Sequence, residues 1–190
     1  MSGHDFSRAA AQAEQRSAAL AAAMAIPGRN SSAKDIVNPT RTFFATTKTA
    51  MGKRLLQSER NAELMIDVLR SLVAERAFDL LDFVVMPDHL HLLLTVGEEM
   101  TIEKAMQFVK GRFSHRLSKE FGYAGEVWQR RFSEEQVLGQ ASLESHRRYI
   151  AQNPIKAGLT QSSEEYVYCY ANLAKRKSEA RRNQRPQSGG

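Results

Sequence analysis

The stretch Met86-Pro87-Asp88-His89-Leu90-His91-Leu92-Leu93-Leu94 decides the fold of this chain. Proline followed by aspartate is typical of a turn, and strand-type residues lie on both sides of it. The stretch therefore predicts an antiparallel hairpin, with strands over Phe78–Met86 and His89–Val96. Because strand side chains alternate between two faces, both histidines lie on one face, where they form half of a possible divalent-metal site. A pair of structural histidines is the competing interpretation.

Two more strands are predicted outside this hairpin. A β-branched and aromatic run at Arg41–Thr47 predicts the first strand, and an aromatic and basic run at Glu126–Val137 predicts the fourth. Apolar residues spaced by three and four predict helices that begin after Ser58 and Thr101, which are both good N-cap residues.

A third helix is predicted from Ser142 to about Gln152, because Pro154 disfavours helical geometry at Asn153. The complete order is then β-α-β-β-α-β-α. Two helices against one face of a four-stranded antiparallel sheet make the ferredoxin-like arrangement of the α+β class, in a single domain. This fold alone does not define a chemistry.

Composition limits the class of protein. A chain of 190 residues with 42% hydrophobic residues can bury one core. Cys169 is the one cysteine, which excludes an intramolecular disulfide and indicates a reducing, cytoplasmic setting. No stretch approaches the roughly 18 apolar residues of a membrane span, so no membrane association is expected. The net charge of +6 favours a polyanionic partner.

Both ends of the chain differ in composition from its centre. Residues 1–39 are predicted to be an extension, flexible or a frayed helix, because the alanine-rich part follows acidic residues and so does not resemble a signal peptide. Residues 161–190 are predicted to be a basic, solvated tail that attracts phosphates, with a simple solubility role as the alternative. From Ala171 onward its basic residues are Lys175, Arg176, Lys177, Arg181, Arg182 and Arg185, against one acidic residue, Glu179.

A second chemical motif is Tyr149-Ile150-Ala151-Gln152-Asn153-Pro154-Ile155-Lys156-Ala157-Gly158-Leu159. Residues four apart share one helix face, so Tyr149 and Asn153 point the same way. A tyrosine hydroxyl can act as a covalent nucleophile, and the amide oxygen of Asn153 could complete a His-His-Asn metal site. The structural alternatives are a packed aromatic ring and an asparagine that ends a helix before proline.

These two motifs, with Val127-Trp128-Gln129-Arg130-Arg131-Phe132 between them, resemble those of the HUH single-tyrosine transposases. Within that superfamily the chain is most similar to the REP-associated tyrosine transposases, over roughly residues 41–160. The resemblance implies that residues 40–160 are a catalytic domain. It also implies that His89, His91 and Asn153 bind Mg²⁺ or Mn²⁺, and that Tyr149 is the nucleophile.

The resemblance further implies an enzyme that cuts and rejoins single-stranded DNA beside a hairpin, through a 5′-phosphotyrosine and without ATP. A monomer is favoured, with a homodimer as the alternative. The chain departs from the family at its N-terminal extension and at Ser133-Glu134-Glu135-Gln136, where the family is more aromatic and carries histidine. Asp88 could orient His89, with its turn role as the alternative, and His146 could assist Tyr149, although an exposed or packing role for His146 is the stronger expectation.

Basic and aromatic residues around these motifs are the candidates for DNA binding, through phosphate contacts and base stacking. A solvated helix face is the alternative for the basic residues, and a core position is the alternative for the tryptophan. The candidates are Lys110, Arg112, Arg116, Trp128, Arg130, Arg131, Lys156, Lys175, Arg176 and Lys177.

Two other functions are compatible with the same residues. A non-catalytic nucleic-acid-binding module would use the basic surface alone, with binding that depends on salt but not on chelators. A metal-dependent hydrolase would use water as its nucleophile and would tolerate the loss of Tyr149.

Overall fold

The computed structural model describes residues 40–173 and 175. The predicted N-terminal extension, together with Arg176 and Lys177 of the predicted tail, lies outside these residues. The described chain forms four strands and three α-helices. In order they are β1 (Arg41–Lys48), α1 (Glu59–Ala74), β2 (Asp79–Val85), β3 (His89–Val96), α2 (Ile102–Phe121), β4 (Ser133–Gln136) and α3 (Gly139–Lys156), with two short 3₁₀ turns, Ala50–Gly52 and Leu55–Gln57, between β1 and α1.

The sheet has the strand order β2-β3-β1-β4, and every neighbouring pair is antiparallel. The predicted hairpin of β2 and β3 is present, and the β1–β3 pairing places Thr46 opposite His91 and Lys48 opposite His89. This order and connectivity confirm the ferredoxin-like α+β prediction.

The two faces of the sheet carry different layers because side chains alternate along each strand. One face contributes fully buried leucines of β3 to the main core beneath α1 and α2, among them Leu90, Leu92 and Leu94. Burying one such side chain stabilises the fold by about 1.5–3 kcal/mol. The other face carries the two histidines and packs under α3, with Leu93 and Ile150 in a smaller apolar cluster.

The predicted starts of α1 and α2 are confirmed. Thr101 caps α2 through its hydroxyl, which accepts a hydrogen bond from the Lys104 backbone at 3.2 Å. Ser58 is the N-cap residue of α1 without a side-chain capping bond, and its backbone carbonyl accepts from Asn61 and Ala62 instead.

The predicted fourth strand is too long. Only Ser133–Gln136 pairs with β1, and the preceding segment is a loop tied to β1 by backbone hydrogen bonds from Ala50 to Val127 and from Gln129 to Lys48. The aromatic residue that favoured a strand, Trp128, is instead buried in the main core. Trp128 also forms an isolated β-bridge with Thr49, just beyond β1, and the ladder is interrupted between this bridge and Ser133.

The predicted third helix is too short at both ends. It begins at Gly139 and continues through Pro154 to Lys156. Proline removes one helical hydrogen bond, but Pro154 is buried and the helix ends two residues later in a Schellman arrangement. In that arrangement Gly158, at φ 67°, donates to Ile155, and Leu159 donates to Pro154.

The predicted boundary at residue 160 lies within packed structure. The segment after α3 returns to the free edge of β2, where Cys169 and Val84 form an isolated antiparallel β-bridge. The Tyr168 carbonyl accepts a hydrogen bond from the Val85 backbone at 2.9 Å. The Tyr166 hydroxyl donates to the Val85 carbonyl at 2.7 Å, and burial raises the pKa of Tyr166 to about 12. The folded unit therefore extends to about residue 173.

Asp82 lies beneath α3 at an irregularity in the β2–β3 register, and burial raises the pKa of its carboxyl to about 6. The Phe83 backbone N–H and the charge of Arg147 oppose that increase. A raised carboxyl pKa means that the folded state holds a proton that the unfolded chain has lost. Stability therefore falls as pH rises from about 4 to about 6, and stays lower above that.

Asp82→Asn should remove the loss of stability that deprotonation of Asp82 causes, because the amide carries no charge and its oxygen can still accept a hydrogen bond from the Phe83 backbone. We expect the free energy of unfolding to rise by about 1–2 kcal/mol near pH 7.5 and by about a third of that near pH 4.5. Urea unfolding at the two pH values measures the difference. An equal change at both would show that ionisation of Asp82 is not its cause.

Among the residues that the structure describes, no helix combines the length and the apolar character needed to cross a membrane.

Candidate active site

The two histidines of the motif lie side by side at the start of β3. Their ring centroids are 4.8 Å apart, and the rings meet nearly edge to face. His91 is 4% exposed, whereas His89 is partly accessible. The alternation predicted from sequence therefore places both imidazoles on the face under α3.

Each imidazole has one nitrogen held by a neighbouring oxygen. The Asp88 carboxylate oxygen lies 2.7 Å from His89 Nδ1, and the Thr46 hydroxyl lies 2.7 Å from His91 Nδ1. Asp88 therefore makes the contact that the orienting role expected from sequence requires. Thr46 does the same for His91 from the neighbouring strand, and its hydroxyl suits either tautomer because it both donates and accepts. Both contacts leave Nε2 as the nitrogen available to a ligand.

Burial lowers the pKa of His91 to about 3, and the nearby His89 acts in the same direction. A hydrogen bond with the side chain of Asn153 opposes this effect. His91 is therefore neutral near pH 7, which is the form of imidazole that binds metals.

Helix α3 brings Tyr149 and Asn153 to the histidines. The Tyr149 ring stands edge-on to the His91 ring, with centroids 5.3 Å apart. Asn153, one turn later, donates from its amide nitrogen to the Tyr149 carbonyl at 3.0 Å, and its side chain also interacts with His91. The two motifs, about sixty residues apart in sequence, are therefore adjacent in space.

Phe44 lies at the centre of this arrangement and is absent from the sequence-based candidates. Its ring stacks on His91 at 5.4 Å, meets Tyr149 edge-on at 5.6 Å and contacts His146 at 4.7 Å. The sequence contained a signal for Phe44, because Phe44 and Thr46 are two residues apart in β1 and therefore share the face that carries the histidines. Phe44 sets the spacing between the histidine strand and the tyrosine helix.

Phe44→Ala should loosen α3 selectively. We expect a loss of about 2 kcal/mol in unfolding free energy, less than for a fully buried phenylalanine, and faster amide hydrogen exchange in α3. The matched control is Phe43→Ala, which removes a ring from the opposite face and should cost about 3–5 kcal/mol. Equal exchange changes in α3 for the two variants would contradict a specific role for Phe44.

The contacts of His146 do not support the role of assisting Tyr149. Its Nδ1 lies 2.8 Å from the Ser142 carbonyl, its Nε2 lies 3.4 Å from a Glu135 carboxylate oxygen, and its ring packs on Phe44. Glu135 belongs to the stretch that departs from the family pattern. These contacts support the packing interpretation, with His146 fixing α3 to β4 and β1.

The donor atoms at the site fit a divalent cation. Asp88 and Thr46 take the two Nδ1 atoms, and the Asn153 amide nitrogen donates to the Tyr149 carbonyl. The two Nε2 atoms and the Asn153 amide oxygen are the donor atoms for a cation, which would replace the hydrogen bond between the His91 and Asn153 side chains. Within the described part of the chain, no cluster of three or more His, Cys, Asp and Glu side chains is placed to hold a metal. The third ligand expected from sequence, Asn153, contacts His91 through its side chain.

The structure separates the predicted DNA-binding residues into two groups. Lys156 lies at the site, with its ammonium 5.8 Å from the centre of the Tyr149 ring. Arg130, Arg131 and Lys175 are exposed.

The second group makes contacts within the protein, away from the histidines and Tyr149; its members are Lys110, Arg112, Arg116 and Trp128. Lys110 donates to the Gln129 carbonyl at 2.7 Å, and Arg112 and Arg116 make two-point contacts with Glu75 and Glu120. Trp128 is 6% exposed, and its indole N–H donates to the Lys110 carbonyl, so its face is closed to a stacked base. The predicted base-stacking role of Trp128 is wrong because the core needs this large apolar side chain.

A ferredoxin-like sheet with a His-x-His strand, facing a helix that carries tyrosine and asparagine one turn apart, defines the class of single-tyrosine transposases. The chain belongs to the IS200-like transposase family, whose model matches residues 47–153.

Individual relatives agree with this assignment. The chain is 28% identical over 101 residues to a Haemophilus influenzae protein assigned to the REP-associated tyrosine transposases, covering 48% of this chain and 57% of the relative. It is 25% identical over 95 residues to the REP-associated tyrosine transposase of Escherichia coli K12, covering 50% and 54%. The ISDra2 transposase TnpA of Deinococcus radiodurans is 30% identical over 73 residues, covering 35% and 52%. The chain thus spans about half the length of the curated relatives it matches.

A solved structure shares the fold. A REP-associated tyrosine transposase bound to a REP hairpin superposes with a TM-score of 0.57 at 23% identity, covering 73% of this chain and 81% of the other.

Proposed function

We propose that the protein is a metal-dependent transposase that cleaves and rejoins single-stranded hairpin DNA through Tyr149. The observation that carries the proposal is the position of the Tyr149 ring, 5.3 Å from His91 and one helical turn from Asn153. A nucleophile next to a candidate metal site is the arrangement that phosphoryl transfer by a covalent route requires.

Tyr149 suits the role of nucleophile because it is 44% exposed, although its ring is held by His91 and Phe44. Its oxygen would attack the phosphorus, forming the P–O bond to tyrosine while the bond to the 3′ oxygen breaks. The phenol loses its proton, and the leaving oxygen takes one up as a 3′-hydroxyl. The bond energy is kept in the 5′-phosphotyrosine, so a DNA 3′-hydroxyl can reverse the step without ATP.

His89, His91 and Asn153 would hold Mg²⁺ or Mn²⁺, and the ion would polarise the scissile phosphate as a Lewis acid. Because these three ligands are neutral, they leave the ion its full positive charge. Two imidazoles favour Mn²⁺ over Mg²⁺, which prefers oxygen ligands.

Basic side chains near the site support an anionic substrate. Lys156 lies against the Tyr149 ring, and Lys48 is exposed and pairs with His89 across the sheet. Both can contact phosphates on either side of the cut. The names of the relatives and of the solved complex favour a REP-like hairpin as the source of the strand.

The site also has consequences for the oligomeric state and for the bounds of the catalytic domain. Tyr149, the histidines and Asn153 come from one chain and already face one another, which supports a monomer. The catalytic domain in this proposal comprises residues 40–173, with residues 1–39 as an extension and the basic residues after 173 as a phosphate-attracting tail.

The test uses hairpin oligonucleotides with single-stranded flanks, labelled at either end, incubated with the full chain and Mn²⁺. We expect a DNA–protein adduct that survives denaturant and carries the 3′ label, on a phosphotyrosine located by mass spectrometry, while the 5′-labelled fragment is released with a 3′-hydroxyl. Salt-sensitive binding without an adduct would indicate the non-catalytic module. Turnover without an adduct would indicate the hydrolase that uses water.

A further inference from the structure

The turn that follows β1 is a second feature of the site end of the sheet. It comprises residues 48–54, Lys48-Thr49-Ala50-Met51-Gly52-Lys53-Arg54, and is called the basic loop below. Its side chains include three exposed cations, Lys48, Lys53 and Arg54, and no acidic residue.

The basic loop is fixed to the turn that carries the histidines. Thr49 donates to the Asp88 carbonyl from its backbone at 2.8 Å and from its hydroxyl at 3.0 Å. Just beyond the loop, the Leu56 backbone donates to the Pro87 carbonyl at 2.9 Å. Because the Asp88 side chain contacts His89, the loop is connected directly to the residue that orients a candidate ligand. Its position beside the site is therefore rigid.

Met51 has a conformation and an exposure that the fold does not require. Its backbone is left-handed, at φ 55° and ψ 23°, a conformation that is unfavourable for a residue with a side chain. Its side chain is 77% exposed, so it contributes little to the core. Backbone strain that supports an exposed apolar side chain beside a reactive site indicates a role in binding.

We infer that the basic loop binds the single-stranded DNA next to the scissile phosphate, with Met51 placed against a base. This inference rests on the proposed function for the identity of the substrate. Methionine is among the apolar side chains that insert between bases, and the surrounding cations match the phosphates on either side. The loop is thus assigned as a DNA-contacting surface in addition to the residues that perform the reaction.

Met51→Gly separates strain from binding. Glycine adopts φ near 55° freely, so we expect the melting temperature to rise by a few degrees, while affinity for a single-stranded hairpin oligonucleotide falls about tenfold. Affinity is measured by fluorescence anisotropy with EDTA present, so that no cleavage occurs. Met51→Leu keeps an apolar side chain and should stay within about twofold of the wild type.

The cations have their own test. Lys53→Gln with Arg54→Gln should lower the slope of log affinity against log salt by about 1.4, as expected for two lost phosphate contacts to a single strand. The charge-matched control, Arg70→Gln with Arg76→Gln, changes helix α1 and the turn after it and should leave the slope unchanged.

Wild-type affinity in Met51→Gly, together with a higher melting temperature, would overturn the inference and leave the strain as a property of the turn alone. A reduced salt slope with no effect of Met51 would also overturn it, because the base contact would be missing. These outcomes do not depend on the adduct experiment. Failure to form phosphotyrosine would refute the proposed function while the affinities still decide the role of the loop.

Discussion

Tyr149→Phe is expected to abolish the covalent DNA adduct and to slow strand cleavage by at least about 10³-fold. The substitution removes the hydroxyl and keeps the ring that packs on His91 and Phe44. Stability should therefore change by less than about 0.5 kcal/mol, because the side chain is 44% exposed. Denaturing electrophoresis with end-labelled hairpin DNA and Mn²⁺ measures the adduct, and single-turnover cleavage measures the rate.

Tyr170→Phe is the matched control. Its side chain is 41% exposed, and its ring lies edge-on to Phe83, on the segment that follows α3. Adduct yield and cleavage should equal those of the wild type. An adduct of undiminished yield in Tyr149→Phe would refute Tyr149 as the nucleophile, and undiminished cleavage without any adduct would point to water.

The second large effect is expected on metal binding. His91→Ala should weaken Mn²⁺ affinity by more than about 100-fold, because the proposed site of three protein ligands would lose one of its two imidazoles. Titration calorimetry with Mn²⁺ measures this directly and needs no DNA. Thr46→Val keeps His91 but removes the hydroxyl that fixes its ring, so a loss of about 10- to 100-fold is expected.

His115→Ala controls for the loss of an imidazole, because His115 is an exposed histidine of α2, on the other side of the sheet. It should leave Mn²⁺ affinity unchanged. Circular dichroism and the melting temperature establish that each variant is folded, which matters for His91 because its side chain is buried. Unchanged Mn²⁺ affinity in folded His91→Ala would exclude the histidine pair as the metal site.

The sheet and the shared face of the histidines could be predicted because they depend on local rules. The proline–aspartate turn defines the hairpin, and a period of two places His89 and His91 together. The spacing of four between Tyr149 and Asn153 likewise defines one helix face. The proximity of these two motifs in space could be seen only in the tertiary structure.

The remaining features depend on packing that local patterns do not report. Trp128 has the residue type of a strand, but the core between β1 and α2 takes its ring and leaves a loop. Pro154 usually ends a helix, yet its buried position keeps α3 intact to Lys156. Phe44 and Thr46 look like ordinary strand residues, and their contacts with the site depend on which face α3 covers.

The single helix that carries both Tyr149 and Asn153 has a consequence for how the site works. The Asn153 side chain donates to the Tyr149 carbonyl, so the two residues move together with the helix, which begins at Gly139, at φ 76°. Any movement of that body away from the sheet would withdraw the proposed nucleophile and the proposed third ligand at the same moment. The proposed reactive centre would then be either complete or taken apart as a unit.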